Sequence, residues 1–302
     1  MELKLKEELI EKYSKLTDFK EYQKAINNFS KKAIRVNTLK SSASFIKRFL
    51  IKDWNLVKIP WCKDGFWIEG RRRDIGNLYE HQLGLIYVQE ASSMIPAITL
   101  DPKKDEIVLD AAASPGSKTT QIAALMENTG MIIANDVAYY RMLALSHNLQ
   151  RCGVMNAVTT ISDARKIDYQ FDRILLDAPC SGIGTVFGAT QNSFYTIQTY
   201  SQQKIKTMAG IQKKLILRCY QNLKPMGAMV YSTCSLEPEE DEEVVQFLIE
   251  NTDAKIEKID MKIKSEINLD YGNYSSELKK CIKIWPQFYG TEGFFIAKIR
   301  KP

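Results

Sequence analysis

Histidines and paired cysteines are scarce in this sequence. Its 302 residues include two histidines, and its six cysteines form no CxxC pair. Zinc sites usually draw on closely spaced cysteine and histidine ligands, so no metal site is predicted. Disulfide frameworks belong mainly to short secreted chains, so we expect reduced thiols and a cytoplasmic protein.

Long apolar runs are absent as well. None reaches the roughly 18 residues that a membrane-spanning helix needs. The first 16 residues alternate charged with apolar side chains and are too polar for a signal peptide. Neither membrane association nor an obligate protein partner is predicted.

Positive charge is concentrated in the first third of the chain. Residues 1–100 hold 18 Lys or Arg against 12 Asp or Glu, whereas residues 101–302 hold 24 of each. Residues 29–73 alone carry 12 basic and 3 acidic side chains. Such a region suits a polyanion such as nucleic acid, although a solvated face of a basic protein has the same composition. The candidate contacts are Arg35, Lys40, Arg71, Arg72 and Arg73.

The apolar pattern divides the chain into three parts. Residues 1–28 have helical spacing, and residues 29–104 form a small α+β unit with its connector. From 105 to 302, apolar strands alternate with helices, which indicates an α/β fold with a mostly parallel sheet covered on both faces. The predicted strands of this part are EIVLDAA, GMIIAND, AVTTIS, FDRILLDAP and GAMVYST.

Chemically reactive residues gather where these strands end. Ligands of parallel sheets bind outside the carboxyl ends of the strands, so this agreement predicts a site there. The loop DAAASPGSKTT lacks both glycines of a phosphate-binding P-loop, and no GxGxxG fingerprint is present. Asp136 then suits a ribose diol and Asp163 an adenine amino group, although each acid alone also fits a helix cap.

Two cysteines stand out from the other four. Cys180 follows DAP at one strand end, and Cys234 follows YST at another, so both thiols face one pocket. For the remaining cysteines we expect the ordinary role of a small buried side chain. These are Cys62, Cys152, Cys219 and Cys281.

At this point the motifs resemble a known family. DAAASPGSKTT, LLDAPCSGIGT and VYSTCSLEPEEDEE resemble, in that order, the cofactor loop, the Pro-Cys motif and the Thr-Cys motif of RNA cytosine-5 methyltransferases. This is the family of the bacterial 16S rRNA methyltransferases and the Nop2/Sun proteins. The likeness extends from about residue 33 to the end, and the compact chain is similar to small archaeal tRNA enzymes.

The resemblance implies a class I, Rossmann-like methyltransferase fold that uses S-adenosylmethionine, preceded by a small RNA-binding domain. Asp136 would hold the ribose with support from Arg141, and Asp163 would face the adenine. Asp177 would lie between the cofactor and the target base. The loop residues expected to wrap the methionine end are Ala112, Ala113, Ser114, Pro115, Gly116, Ser117 and Lys118. Ser117 replaces a glycine that is usual in the family, and it fits if its φ is negative.

The family also implies the chemistry. A thiolate that adds to C6 of cytosine makes C5 able to take a methyl group, which is covalent catalysis. Cys234 would be the nucleophile, and Cys180 would assist product release. Asp177 would donate to or bond N3, and Lys118 would contact the base. DNA cytosine methyltransferases attack with their Pro-Cys residue instead, and spacing does not decide between the two.

Several alternatives stay open. The RNA partner is tRNA or rRNA, with tRNA preferred for a compact enzyme. A non-catalytic rRNA-binding assembly factor with the same fold is the alternative from another functional class, and a P-loop nucleotidase is a third. The acidic run at 237–243 is interpreted as the start of a helix, where acids favour the N-terminus.

Overall fold

The structure is a computed structural model that describes residues 3–28, 30–70 and 74–302. Within these residues the chain forms one sheet of four strands and one of eight, with helices packed around both. This confirms the predicted class I, Rossmann-like α/β fold preceded by a small α+β region.

The N-terminal region alternates short helices with short strands. In chain order these are α1 (Glu7–Leu16), α2 (Phe19–Ile26), β1 (Ala33–Val36), α3 (Ala43–Leu50), β2 (Trp54–Lys58), β3 (Gly65–Gly70), α4 (Tyr79–Gln82) and β4 (Ile86–Val88). The strands form an antiparallel sheet in the order β2-β3-β1-β4. Helix α3 begins after Ser42, whose hydroxyl caps the helix by accepting a hydrogen bond from the Phe45 N–H.

Helices α1 and α2 pack against the C-terminal half of the chain. Leu9 and Tyr13 share a core with Leu236 and Trp285. The rings of Tyr13 and Trp285 meet edge to face, with centroids 5.6 Å apart, a favoured aromatic geometry. Helices α1 and α2 therefore cover part of the C-terminal half of the chain.

The larger sheet is assembled from the remaining strands. Its helices and strands are α5 (Ile95–Leu100), β5 (Ile107–Asp110), α6 (Ser117–Leu125), β6 (Met131–Asp136), α7 (Tyr139–Cys152), β7 (Ala157–Ile161), β8 (Phe171–Asp177), α8 (Gln191–Thr199), α9 (Gln202–Gln221), β9 (Leu223–Thr233), α10 (Glu242–Asn251), β10 (Lys255–Glu257), β11 (Ile282–Ile284), α11 (Pro286–Tyr289) and β12 (Phe294–Arg300).

Strands β5 to β9 are parallel and lie in the order β7-β6-β5-β8-β9. They confirm the five strands predicted from the sequence. Strand β12 continues the sheet antiparallel to β9, and β10 and β11 both pair with β12. These three strands were not predicted, because the pattern relied on strands that alternate with helices.

The central strands bury side chains on both faces. Val108, Leu175 and Val230 point into the core beneath α5 and α6, together with Trp67 of the small sheet. Their neighbours Leu109, Leu176 and Tyr231 point into the opposite core, beneath α9 and α10. This alternation follows from the two-residue period of a strand. The small sheet therefore shares one core with the larger sheet.

Membrane spans and metal clusters were searched for in the described ranges. No helix there is long and apolar enough to cross a membrane. No group of three or more metal-ligating side chains could hold a metal ion in those ranges.

Candidate active site

The predicted site residues meet at one edge of the larger sheet. Strands β6, β5, β8 and β9 are neighbours, and their carboxyl ends carry Asp136, Asp110, Asp177 and Thr233. Parallel pairing brings these ends to the same edge, so residues more than 100 positions apart in the chain become neighbours. We call the ends of β5 to β7 the cofactor half and the ends of β8 and β9 the thiol half.

The loop from Ala112 to Lys118 turns sharply between β5 and α6. Its Ser114–Pro115 peptide bond is cis, and Gly116 has a φ of +103°. A Cβ at Gly116 would lie 3.0 Å from the Leu145 side chain, so glycine suits this position on two grounds. Ser117 is the first residue of α6, where the backbone is helical and no glycine is required.

The Asp136 carboxylate of the cofactor half is fixed by main-chain donors and by an arginine. It is 2% exposed and accepts hydrogen bonds from the main-chain N–H groups of Ser114 and Ala138, at 3.2 and 3.3 Å. The Arg141 Nε lies 3.2 Å from its carboxylate, and the same guanidinium donates to the Ser114 carbonyl at 3.0 Å. The cofactor loop is thereby tied to β6 and α7.

Asp163, which follows the end of β7, forms an ion pair with Arg165. The Arg165 Nε donates to both of its carboxylate oxygens, at 2.9 and 3.0 Å. These hydrogen bonds hold the pKa of Asp163 at about 2, well below its ordinary value. The carboxylate is therefore charged at neutral pH.

A cavity of about 420 Å³ joins the two halves of the sheet edge. This volume is in the range of small-molecule and cofactor sites. Acidic groups and apolar side chains line it together, as a nucleoside with a charged tail requires. The predicted site residues among its walls are Ala112, Ser114, Asp136, Arg141, Asp163, Asp177, Cys180 and Cys234.

The other predicted loop residues lie beside this cavity. A smaller cavity of about 50 Å³ shares Ala112, Ser114 and Asp177 with it. The further predicted residues that line the smaller cavity are Ala113, Pro115, Ser117 and Lys118. Gly116 lies in the turn itself. Together the two cavities fit S-adenosylmethionine, because the buried Asp136 and the loop main chain face a space of suitable size.

The two thiols are in contact. The sulfur atoms of Cys180 and Cys234 lie 3.1 Å apart, and both residues are half-buried. The other four cysteines are unpaired and buried, as predicted. The Pro-Cys and Thr-Cys motifs thus place both thiols at one point of the cavity wall.

Lys118 and Asp177 form an ion pair next to these thiols. The Lys118 Nζ donates to one Asp177 oxygen at 2.7 Å, and the Ser232 hydroxyl donates to the other at 2.7 Å. Burial alone would lower the pKa of Lys118, but Asp177, with smaller contributions from Cys234 and Asp110, raises that pKa overall. Both Asp177 oxygens therefore have a hydrogen-bond partner in this structure. That Asp177 donates to or bonds N3 of the base stays a prediction.

The environment of the two thiols is asymmetric. The contact with Cys234, burial and the Glu240 carboxylate together raise the pKa of Cys180 well above its ordinary value. A neighbouring negative charge favours the protonated form of a thiol, so Cys180 is a protonated thiol in contact with Cys234. The charge of Cys234 in turn contributes to the raised pKa of Lys118.

Some residues of the site had no specific role in the sequence interpretation. Asp110 is 1% exposed and accepts a hydrogen bond from the Thr119 hydroxyl at 2.7 Å, and burial raises its pKa to about 7. Glu240 was seen only as part of an acidic run before α10. That run does end in the first turn of α10, but Glu240 is fully buried and contacts the loops of both cysteines.

The predicted polyanion contacts have different outcomes. Arg71, Arg72 and Arg73 lie outside the described residues. Arg35 as a surface contact is wrong, because it is 3% exposed and donates to Gln89 and to the Thr120 hydroxyl, both at 2.8 Å.

Lys40 is exposed, which its prediction as a contact requires. Its Nζ already donates to the carbonyls of Leu83 and Arg151, at 2.7 and 3.1 Å. Those bonds link the small sheet to the end of α7.

Comparison with known proteins identifies relatives along the whole chain. Residues 97–300 match the family described as 16S rRNA methyltransferase RsmB/F. Residues 5–91 match the N-terminal domain of 16S rRNA methyltransferase RsmF. The chain is 46% identical to a tRNA (cytosine(49)-C(5))-methyltransferase of Pyrococcus abyssi, over 99% of this chain and 97% of that protein. It is 44% identical to the ribosomal RNA small subunit methyltransferase F of Psychromonas ingrahamii, over 90% of this chain but 57% of that protein.

Solved structures agree with this relationship. A methyltransferase homolog protein from Pyrococcus horikoshii superposes with a TM-score of 0.87 at 38% identity, over 97% of this chain and 94% of that one. The structure of NSun6 from Pyrococcus horikoshii with SFG has a TM-score of 0.86 at 25% identity, over 98% of both chains. The chain therefore belongs to the RsmB/F family, the Nop2/Sun-type RNA cytosine-5 methyltransferases that its motifs resemble.

Proposed function

We propose that the protein methylates C5 of a cytosine in RNA, with tRNA as its substrate and S-adenosylmethionine as the methyl donor. The contact between Cys180 and Cys234 carries the proposal, because their sulfur atoms lie 3.1 Å apart in the wall of the same cavity that contains Asp136. A protein that only binds RNA or assembles ribosomes has no need of two thiols, a lysine and a carboxylate at this point.

S-adenosylmethionine, when bound, supplies an electrophilic methyl group on a sulfonium. Asp136 would hold the ribose hydroxyls, since its oxygens are fixed by main-chain donors and Arg141. The Asp163 carboxylate would accept from the adenine amino group. The loop from Ala112 to Lys118 would contact the methionine end through its main chain.

Cys234 would start the reaction by addition of its sulfur to C6 of the cytosine. The new S–C6 bond moves electron density to C5, the position that becomes methylated. Restoration of the ring then requires loss of the C5 proton and departure of the Cys234 sulfur with its bonding electrons. Cys180, a protonated thiol 3.1 Å from that sulfur, would give its proton to the departing Cys234 thiolate and, as the thiolate so formed, would take up the C5 proton.

Lys118 and Asp177 would orient the base between the cofactor and Cys234. The Asp177 carboxylate can accept from the cytosine amino group, and Lys118 can donate to an acceptor on the ring edge. The Phe294 ring lies 5.5 Å from the Lys118 Nζ, so this ammonium also has a cation–π contact. The base must leave its stack to reach Cys234, which favours a loop, junction or bulge as the target.

The match to the tRNA enzyme supports tRNA as the substrate. That relative is matched over 97% of its length, whereas the bacterial rRNA enzyme is matched over 57% of its length. The similar identity to the rRNA enzyme makes rRNA the second candidate. We propose that the enzyme works in the cytoplasm without an obligate protein partner, since a reducing compartment keeps its active-site thiols unpaired.

The decisive experiment is methyl transfer to natural RNA. The purified protein is incubated with tritiated S-adenosylmethionine and with separate tRNA and rRNA pools from a strain that lacks its gene. We expect label in tRNA that digestion recovers as 5-methylcytosine. Label confined to rRNA would reassign the substrate, and a protein that binds the cofactor but labels neither pool would overturn the proposed activity.

The role of Cys180 is tested by trapping. Cys180→Ala should accumulate a covalent RNA–protein complex that survives denaturing electrophoresis, because addition proceeds while release is slowed. Cys219→Ala, which removes a buried thiol away from the cavity, is the control and should show no complex. Normal turnover by Cys180→Ala would contradict a role in release.

A further inference from the structure

One buried carboxylate joins the loops that carry the two thiols. Glu240 is fully buried and lies between the serines that directly follow Cys180 and Cys234. The Ser181 N–H donates to one of its oxygens at 2.8 Å, and the Ser181 hydroxyl donates to the other at 2.5 Å. The Ser235 hydroxyl donates to that second oxygen, also at 2.5 Å. Each thiol is therefore one residue away from a direct bond to the same side chain.

These contacts suit a carboxylate. The Ser181 N–H donates to one oxygen of Glu240 and two serine hydroxyls bond the other, and a carboxylate accepts at both ends. A glutamine amide of the same length has no charge and accepts at one end only, so the serine hydroxyls would have to turn round and accept weaker neutral hydrogen bonds. Donors on charged acceptors are stronger than neutral hydrogen bonds, so the three contacts give a stiff connection.

Glu240 is also held by residues of α9 and β9. The Gln212 Nε2 on α9 donates to Glu240 at 3.3 Å and to the Pro179 carbonyl at 2.8 Å, so α9 contacts the Pro-Cys loop as well. The Tyr231 hydroxyl donates to the main-chain carbonyl of Glu240 at 2.5 Å. In the described part of the chain, no Lys, Arg or His forms an ion pair with Glu240. A buried carboxylate without a cation is costly, which argues that it has a task beyond stability.

We propose that Glu240 is a positioning residue that sets the separation of the Cys180 and Cys234 thiols by holding the serine after each of them. It acts through these serines and touches no substrate. Its charge also faces Cys180 and favours the protonated form of that thiol. The inference rests on the proposed function only in so far as the two thiols act in methyl transfer.

The test is Glu240→Gln, with Glu243→Gln as the matched control. Glu243 belongs to the same acidic run, but its half-exposed side chain pairs with Lys213 at 3.7 Å, away from the thiols. The first readout is the equilibrium with glutathione, in which oxidised glutathione converts the two thiols to a disulfide and yields two reduced glutathiones. This equilibrium measures how well the protein holds the sulfurs together.

For Glu240→Gln we expect the effective concentration of one thiol towards the other to fall by about tenfold or more. The turnover number for RNA methylation should fall by a similar factor, with the cofactor dissociation constant unchanged within about twofold. Glu243→Gln should match the wild type in all three measurements. A folded Glu240→Gln protein with wild-type thiol equilibrium and turnover would overturn the proposal.

Two milder variants cover the case in which Glu240→Gln does not fold. Ser181→Ala and Ser235→Ala each remove one hydroxyl donor, and the Ser181 N–H bond to Glu240 remains. Each should weaken the thiol equilibrium severalfold, and the double variant should show less than the product of the two effects, because both act through one carboxylate. Wild-type thiol equilibria in both single variants would overturn the proposal.

The glutathione readout does not involve RNA. If the wild type fails to methylate RNA while Glu240→Gln still changes the thiol equilibrium, the proposed function fails and the positioning role stands. If methylation proceeds and the equilibrium is unaffected, the positioning role fails alone.

Discussion

The cofactor half and the thiol half of the sheet edge hold their acids in different ways. In the cofactor half, Asp136 and Asp163 pair with Arg141 and Arg165, whose side chains are each 42% exposed. In the thiol half, three acids before α10 are fully buried, namely Glu237, Glu240 and Asp241. There Lys283 pairs with Asp241 and Glu242, and all three side chains are at most 3% exposed.

This difference fits the work that we propose for each half. A cofactor must enter and leave in every cycle, and arginines at the surface can move to let it pass. Thiols that form and break a bond to a base must keep their geometry through several steps. Buried networks resist rearrangement because removal of any one partner leaves another polar group unsatisfied. The two halves should therefore respond differently to substitution.

Cys234→Ala should have the largest effect of any single change. Without the nucleophile, methylation should fall by at least about a thousandfold, since no adduct at C6 can form. The dissociation constant of S-adenosylmethionine should stay within about twofold of wild type, because the substitution leaves the cofactor half intact. Isothermal titration and tritium incorporation measure the two quantities. Retained turnover would move the nucleophile to Cys180.

Lys283→Met should be the most damaging change to stability in this comparison. It leaves Asp241 and Glu242 buried without their cation, which typically costs about 3–5 kcal/mol. Lys280→Met, which removes an exposed pair with Glu277, should cost less than about 1 kcal/mol. Urea unfolding of both variants measures the difference. Equal losses would show that the thiol half is no stiffer than the surface.

Asp136→Asn should affect the cofactor half alone. Loss of a charged hydrogen-bond acceptor costs about 1.5–3 kcal/mol, so the dissociation constant of S-adenosylmethionine should rise by about ten- to a hundredfold. The thiol equilibrium with glutathione should not change. Asp168→Asn, at a side chain that is 88% exposed, is the control. An unchanged dissociation constant would remove Asp136 from the cofactor site.

Arg165→Gln should have the smallest effect, and it depends on pH. The arginine lowers the pKa of Asp163 to about 2, so the pair stabilises the fold above the ordinary pKa near 4, and this contribution is lost as pH falls through about 2. Because the pair is exposed, the loss at pH 7 should be below about 1 kcal/mol. Unfolding free energies at pH 7 and pH 3 should show the difference between variant and wild type shrinking. A difference that grows on acidification would contradict this.

The parallel part of the larger sheet could be predicted from the sequence. Strands β5 to β9 are near-continuous apolar runs, and parallel strands bring their carboxyl ends together, so Asp136, Asp177 and both reactive cysteines could be placed at one edge. Strands β10 and β11 are three residues long, which is too short for an apolar pattern to be recognised in the sequence. Strand β12 follows a helix of only four residues, not one of the long helices that separate β5 to β9, so it was missed despite its apolar side chains.

The errors concern charged residues. Charge counting assigned Arg35 to the surface, but a count does not distinguish an arginine in solvent from one that links the small sheet to α6. The acidic run was taken for an ordinary helix start, yet Glu237, Glu240 and Asp241 are fully buried. Charged groups are rarely buried, so a single sequence gives no reason to expect it.

The packing of α1 limits how far the enzyme can be shortened. Its Lys12 ammonium contacts Glu237 and bonds Glu239 at 2.6 Å, and the Tyr13 hydroxyl donates to Glu237 at 2.9 Å. Glu237 lies three residues after Cys234, so the first helix reaches the loop of the nucleophile. A fragment that begins at the larger sheet would therefore remove the Lys12 and Tyr13 partners of Glu237, an acid three residues from the reactive thiol.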